Sequence, residues 1–444
     1  LNLQKAAKSG FFLFKIIYVI ILHTMFKYLK AVFGDSKIRN RIFYVIAILA
    51  VTRILSAIPI PSIAGADIAK YLESNQFLGL LNIFAGGGLS TLSIVMLGVQ
   101  PYITASIIMQ LLTVLVPSLK VMSQEEGEMG RRKFAQYSRW MTPVLAVMQG
   151  AGLLALFVKN GVIPAMSNET LALNLLIITA GSMIMMWLGE TINEKGIGNG
   201  LSMIIFSGIV ATLPTQIINA LSVIPTEQIP LYIALAITFV LVLMGIVAVT
   251  EAERPLEVTY AKQSRGYSTE TMATSYLPLR LTMAGVIPVI FAVSVLMFPQ
   301  LLAQLMATSD VALLKQISTT VVSILSNQWI YGVIYFSLIV IFTFFYTAVT
   351  FDPLKTSENL QKGGAFIPGQ RPGDATTEYI SNTLMKVTAV GAVFLATVAI
   401  LPLVLSGATG IATLSVGGTS LLIAVSVVID LLKKIDAQLT MREY

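Results

Sequence analysis

The sequence contains no cysteine and one histidine, His23. The first absence excludes a disulfide framework, a thiolate nucleophile and thiolate metal sites. The second leaves almost nothing for zinc coordination or general-base chemistry. Charge is scarce as well: only 11% of the 444 residues are Asp, Glu, Lys or Arg, while 56% are hydrophobic. Ordinary globular domains carry about a quarter charged residues, so no water-soluble core absorbs this much apolar surface. Carboxylates are nearly missing from the apolar stretches. Neither a Ser-His-Asp set nor an ionisable relay at midplane can be built from what remains.

What is present is long apolar runs, most of about 18 residues or more, the length a helix needs to cross hydrocarbon. Ten are read: Ile42 to Ile60, Ile94 to Leu115, Met141 to Val158, Leu171 to Leu188, Leu201 to Leu213, Pro230 to Thr250, Leu281 to Met306, Trp329 to Thr350, Val387 to Val404 and Val416 to Leu432. The expected fold is an all-α integral membrane protein with ten transmembrane helices. The fifth run is short, and short or broken spans often line a cavity. An even count places both termini on one side. The loops and tails of that side hold every one of the 29 basic residues except Arg53, Lys70, Lys159 and Lys315, which makes it the cytoplasmic side. The net charge of +7 therefore reflects topology. Lys27 to Arg41 is read as an amphipathic helix touching lipid headgroups, not as a nucleic-acid arm. The apolar core Phe11 to Leu22 is interrupted by Lys15 and, at about 12 residues, is too short to span. Met25 is read as the natural start, with residues 1–24 an upstream translation or an interfacial helix.

Four local features carry more. Phe77 to Ser93 is apolar but broken by Gly86, Gly87 and Gly88; it fits a re-entrant half-helix or an interfacial loop, since non-helical backbone at membrane depth survives only under a cover of protein or water. A string G-V-x-P-x-I-x-A occurs twice, at Gly98 to Ala105 in the second span and at Gly285 to Ala292 in the seventh. Ten spans then divide into two halves of five, which insert in opposite orientations, and the glycines and prolines Gly98, Pro101, Gly285 and Pro288 are expected to kink their spans. Arg53 lies inside the first span, at a cost of about 2.5 to 3.5 kcal/mol unless it snorkels outward or lines a wet vestibule. Gly196-Ile197-Gly198-Asn199-Gly200 has the composition of a phosphate loop but joins two membrane helices, so a tight inter-helix turn is the better reading.

Several longer stretches complete a pattern: LGVQPYITASIIMQLL from Leu97, EEGEMGRRKFAQYSR from Glu125, WLGETINEKGIGNGLSMIIF from Trp187, AGVIPVIFA from Ala284, GAFIPGQRPG from Gly364 and GGTSLLI from Gly417. In this order they resemble the SecY family, the central subunit of the bacterial protein-conducting channel, over essentially the whole chain from Met25. The resemblance implies two inverted five-helix halves, 42–215 and 216–432, around an hourglass pore, with residues 1–41 before them and a tail at 433–444. It implies a pore ring of Val99, Ile103, Ile107, Leu201, Ile205, Ile290 and Ile423, and a plug at about 77–93 that includes Asn82, Phe84, Gly86, Gly87 and Gly88. It further implies a lateral gate between the second and seventh spans, and a docking surface on the loops 251–280 and 351–386 with Arg265 and Arg371. The EAERPLEV stretch from Glu251 departs from the basic pattern common in the family. No cofactor or metal is implied. The implied partners are SecE-like and SecG-like small subunits, a SecA-like motor ATPase, the ribosome, signal peptides with nascent polypeptides, and the lipid bilayer, all at a bacterial cytoplasmic membrane. Two rival readings are an ion-coupled small-solute transporter, which would need a polar midplane site, and an accessory SecY-like channel for a restricted set of substrates.

Overall fold

Hydropathy sets where helices form, and their ends follow local chemistry. The structure, a computed structural model, describes residues 34–63, 68, 78–79, 81–82, 85–124, 126–222, 229–260, 274–283, 285–306, 312–409 and 414–443. Residues 1–24, Phe84 and Arg265 lie outside these. Helix α1 is Ser36–Ala57, begun by Asp35, whose carboxylate accepts from the amides of Lys37 and Ile38. The described part of the expected headgroup helix is therefore the first turns of α1. Helix α2 (Gln100–Leu115) is followed by α3 (Pro117–Gln124), turned from it by 117°. Helices α4 (Gly127–Lys159), α5 (Asn168–Lys195) and α6 (Gly200–Ser222) complete the first half. The second half has α7 (Ile229–Glu251), α8 (Ile287–Met306), α9 (Ala312–Ser326), α10 (Gln328–Thr350), α11 (Pro353–Lys362), α12 (Asp374–Thr409) and α13 (Leu414–Glu443).

Each of the ten apolar runs coincides with one of these helices, and α1, α4, α5, α10 and α12 are individually long and apolar enough to cross a bilayer. The fifth run is not short after all. Pro214 lies inside α6 without ending it, because an interior proline removes one backbone hydrogen bond and can leave the helix bent but continuous. Helix α9 fell in what hydropathy read as a loop; it packs on α8, where the Ser318 hydroxyl donates to the Ala303 carbonyl at 2.6 Å.

A small sheet joins two loops on the basic side of the bundle. Strand β1 (Glu253–Tyr260) lies between β2 (Thr274–Arg280) and the short β3 (Ala365–Phe366), antiparallel to both. Leu256, Val258, Leu279, Ala365, Ile367 and Ile380 form its own apolar core. The loops 251–280 and 351–386 are thus one unit.

The internal repeat extends from sequence to packing. In the first half α1 touches α5 and α6, α2 touches α4 and α5, α4 touches α5, and α5 touches α6. The same set recurs as α7 with α12 and α13, α8 with α10 and α12, α10 with α12, and α12 with α13. Between the halves, α8 meets α2 and α4, and α6 meets α13. The repetition reaches single contacts. Gly181 on α5 lies against the Ile94 carbonyl, and Gly391 on α12 against the Leu281 carbonyl, each so close that a Cβ would collide with it. Gly98 and Gly285 sit at φ +54° and +58°, and each donates to the carbonyl three residues back, at 2.8 and 3.1 Å.

This corrects the expected kinks. Pro101 and Pro288 occupy the first turn of α2 and α8, where a missing amide costs nothing. The left-handed glycines make the turn before the helix, and the spans start there instead of bending. Because the cramped glycines are repeat equivalents, Gly181→Ala and Gly391→Ala are each expected to destabilise the protein, by about 1 to 3 kcal/mol for overpacking. Thermal unfolding in detergent measures this; a loss at one position only would mean the two contacts are not equivalent.

Candidate functional site

Two seams separate the halves, and the sequence-predicted residues gather along them. Val99, Ile103 and Ile107 come from the start of α2, Leu201 and Ile205 from α6, Ile290 from α8 and Ile423 from α13. All are buried in one continuous apolar cluster except Leu201, which is half-buried and packs on it. Short local devices aim these helices. Asn199 caps α6, its side-chain oxygen accepting from the amides of Leu201 and Ser202, while Asn193 receives the Gly200 amide at 2.7 Å. Gly198, at φ +98°, turns the chain between α5 and α6. The glycine-rich pentapeptide is an inter-helix turn.

The segment expected as a plug is covered by protein. Leu78, Leu81, Ala85, Leu89 and Leu92 are buried. The described residues 78–79 and 81–82 are helical, and Ala85 donates to the Leu81 carbonyl at 2.8 Å, as the half-helix expectation has it; turns follow from 85 to 92. Ile60 donates to the Leu92 carbonyl and Ile94 to the Ile58 carbonyl, pairing the end of the segment with the chain leaving α1. Asn82 organises the turn: its main-chain carbonyl accepts from Gly87 at 2.8 Å and its side chain from Ser90 at 3.0 Å. Non-helical backbone persists here because its polar groups find partners inside the protein.

Sequence reading did not find the polar contacts of the α2, α4 and α8 seam. The Gln100 side-chain amide on α2 points at the Met297 sulfur on α8, 3.2 Å away, and the Gln149 amide on α4 donates to the Thr104 hydroxyl at 3.2 Å. Both glutamines are buried, and among the described residues neither side-chain oxygen has a hydrogen-bond partner. An unsatisfied buried acceptor costs about 1 to 3 kcal/mol. The seam therefore closes with less stability than an apolar one. A signal was available at Gln100, the one strongly polar residue in the first copy of the repeat, where the second copy has Ile287.

At the basic face, Arg139 and Glu190 pair at 2.6 Å, linking α4 to α5, and this bond holds the guanidinium pKa above its usual value. Lys433 and Glu251 link α13 to α7 at 3.1 Å, and Asp430 pairs with Lys434. Arg371 has an exposed side chain, while its carbonyl accepts from the Thr376 hydroxyl at 2.8 Å.

A polytopic bundle of two repeated halves that pack on one another through a shared apolar core is the architecture of a membrane channel or carrier of inverted-repeat type. The chain belongs to the SecY family: the SecY family model matches residues 93–432. The protein translocase subunit SecY of Synechocystis is 40% identical over 420 residues, covering 92% of this chain and 93% of that protein. Solved structures share the fold. One is a SecY channel whose plug domain stabilises the closed state and maintains a membrane seal (TM-score 0.60, 18% identity, 89% and 91% of the two chains). Another is the idle yeast Ssh1 complex bound to the yeast 80S ribosome (TM-score 0.62, 13% identity, 90% of each).

Replacing Gln100 and Gln149 together by leucine removes both unpaired acceptors. The double variant is expected to unfold at a higher temperature than the wild type, corresponding to about 1 to 3 kcal/mol. A lower unfolding temperature would show that the amide bonds to Met297 and Thr104 outweigh the unpaired oxygens.

Proposed function

We propose that this chain is the pore subunit of a protein-conducting channel, passing unfolded secretory polypeptides across a bacterial cytoplasmic membrane and releasing apolar helices sideways into lipid. The observation that supports this reading is that Val99, Ile103, Ile107, Ile205, Ile290 and Ile423, from both halves, are buried in the shared apolar core, with Leu201 packed on it; we assign them to the pore ring. Apolar side chains at a constriction exclude ions by dewetting, yet they part around a sliding chain because they make no specific bonds. Residues 77–93 act as the plug above the ring. The halves 42–215 and 216–432 open between α2 and α8, where the buried Gln100 oxygen has no partner among the described residues. A passing apolar segment leaves there because lipid solvates it better than the pore, by about 0.8 kcal/mol per buried CH₂.

The basic face is the cytoplasmic one, with both termini on it, because nearly all Lys and Arg lie there. The β1 to β3 sheet gives that face a rigid platform presenting Arg371, the docking point for a SecA-like motor or a ribosome that supplies the energy. SecE-like and SecG-like subunits brace the two halves.

Photo-crosslinkers at Ile103 and Ile290 are expected to capture a secretory chain stalled in transit. Solute uptake without adducts would defeat the channel reading. Arg371→Glu is expected to slow partner-driven translocation by about tenfold, since like charges brought together at an interface cost several kcal/mol. Its thermal stability should stay at the wild-type value, because the fold uses only the carbonyl of Arg371. Wild-type transport rates would reject the docking role.

A further inference from the structure

Arg53 is the one basic residue placed inside a span by the sequence, and in the structure it is half-buried and pairs with no carboxylate among the described residues. Its Nη1 donates to the main-chain carbonyl of Gly86 at 2.7 Å and its Nε to the Ser207 hydroxyl at 2.9 Å. One planar guanidinium thus ties three parts together: α1, the glycine turn of the plug segment, and α6 two residues beyond Ile205 of the ring. Lysine, a single point donor, lacks this two-atom geometry.

The turn is shaped to be held. Gly86 and Gly87 are left-handed, at φ +70° and +83°. A Cβ at Gly86 would stand 3.9 Å from the guanidinium, and one at Gly87 3.9 Å from the guanidinium and 3.6 Å from the Thr212 methyl on α6. On its other flank the same turn rests on α2, since a Cβ at Gly98 would meet the Ala85 Cα at 2.8 Å. The repeat equivalent, Gly285, has nothing within 4 Å of that position among the described residues. Among those residues the two halves therefore differ here: the first copy of the repeated turn bears on the plug segment, and the second has no such contact.

We propose that Arg53 is the latch of the plug, a positioning residue that holds residues 85–93 in the sealed position by their main chain, while the Gly98 turn of α2 is the surface that dislodges them when the seam moves. This rests on the reading of the chain as a channel with these residues in its plug. Because the latch grips a carbonyl, its hold does not depend on plug side chains. Displacement of the plug breaks the bond to Gly86 and leaves that to Ser207, so Arg53 stays docked on α6 and is ready to recapture the turn.

The test uses the full channel with its companion subunits in planar bilayers. Arg53→Met is expected to raise resting ion conductance by about tenfold or more, the population shift that follows loss of a charge-assisted hydrogen bond, and to admit polypeptides with weakened signal sequences. Arg53→Lys should fall between the two, and it carries the test if the Met variant does not assemble. The chain has no cysteine, so Gly87→Cys with Thr212→Cys gives a pair without background; an ideal Cβ at Gly87 stands 3.6 Å from the Thr212 methyl, and conductance is read only on channels whose oxidised pair is confirmed by gel mobility. Oxidising that pair in the leaking variant should restore the seal, and reduction should reopen it. A leak that oxidation leaves unchanged, or Arg53 variants as tight as the wild type, would overturn the latch. In an otherwise wild-type chain the oxidised pair should block polypeptide passage. If it does so while Arg53 variants stay sealed, the plug reading stands and only the latch fails; if passage is unaffected, the plug reading itself fails.

Discussion

Inside a bilayer, backbone amides and carbonyls have no water to bond, and this constraint organises the molecule. Ten helices satisfy it within themselves. The chain from Ala85 to Val99 does not form a helix; its turns pair some of its own polar groups, as Ser93 with Gly88 and Gly98 with Val95, and others are met from outside. They are met by the strand-like pairing near Ile58 and Ile60, by Asn82, and by the guanidinium of Arg53. A charge that costs free energy to place in a span thereby supplies what the glycine turn lacks.

The same economy of polar groups distinguishes the two seams. Where α6 meets α13 the ring residues contribute aliphatic surface. Where α2 meets α8, the buried Gln100 amide faces the Met297 thioether, and within the first half the Gln149 amide of α4 bonds Thr104 of α2; among the described residues both side-chain oxygens lack partners. Apolar interfaces in lipid gain little from hydrophobicity, because the alternative environment is equally apolar. Small differences in polar satisfaction therefore separate the two seams in stability. The internal repeat gives both halves the same helix packing, and the departures from it among the described residues, Gln100 against Ile287 and crowded Gly98 against uncrowded Gly285, fall where the proposed gate and plug act.

The small sheet serves a different purpose. Its core of Leu256, Val258, Leu279, Ala365, Ile367 and Ile380 lies apart from the membrane cluster. Two loops far apart in sequence become one platform on the basic face, and Arg371 projects from beside it. In the proposed docking role, flexible basic loops would lose entropy on meeting a partner, and a preorganised platform loses less.

Hydropathy made the ten spans legible without a structure, because a span depends on composition within a window of about 20 residues; the family was legible from the ordered stretches beginning at Leu97, Glu125, Trp187, Ala284, Gly364 and Gly417. The repeated string was legible too, although it marked the turns that begin α2 and α8 and not kinks within them. The length of α6 was not, since Pro214 looks like a stop until the helix around it is seen to continue. Nor were α9 and the sheet, which are too short or too mixed to stand out in a hydropathy scan. Tertiary structure alone decided what Arg53 does and where the seam is polar. Arg53 meets partners 33 and 154 positions away, and Gln100 meets Met297 across 197. No local pattern encodes such distances; they follow from how two folded halves close on one another.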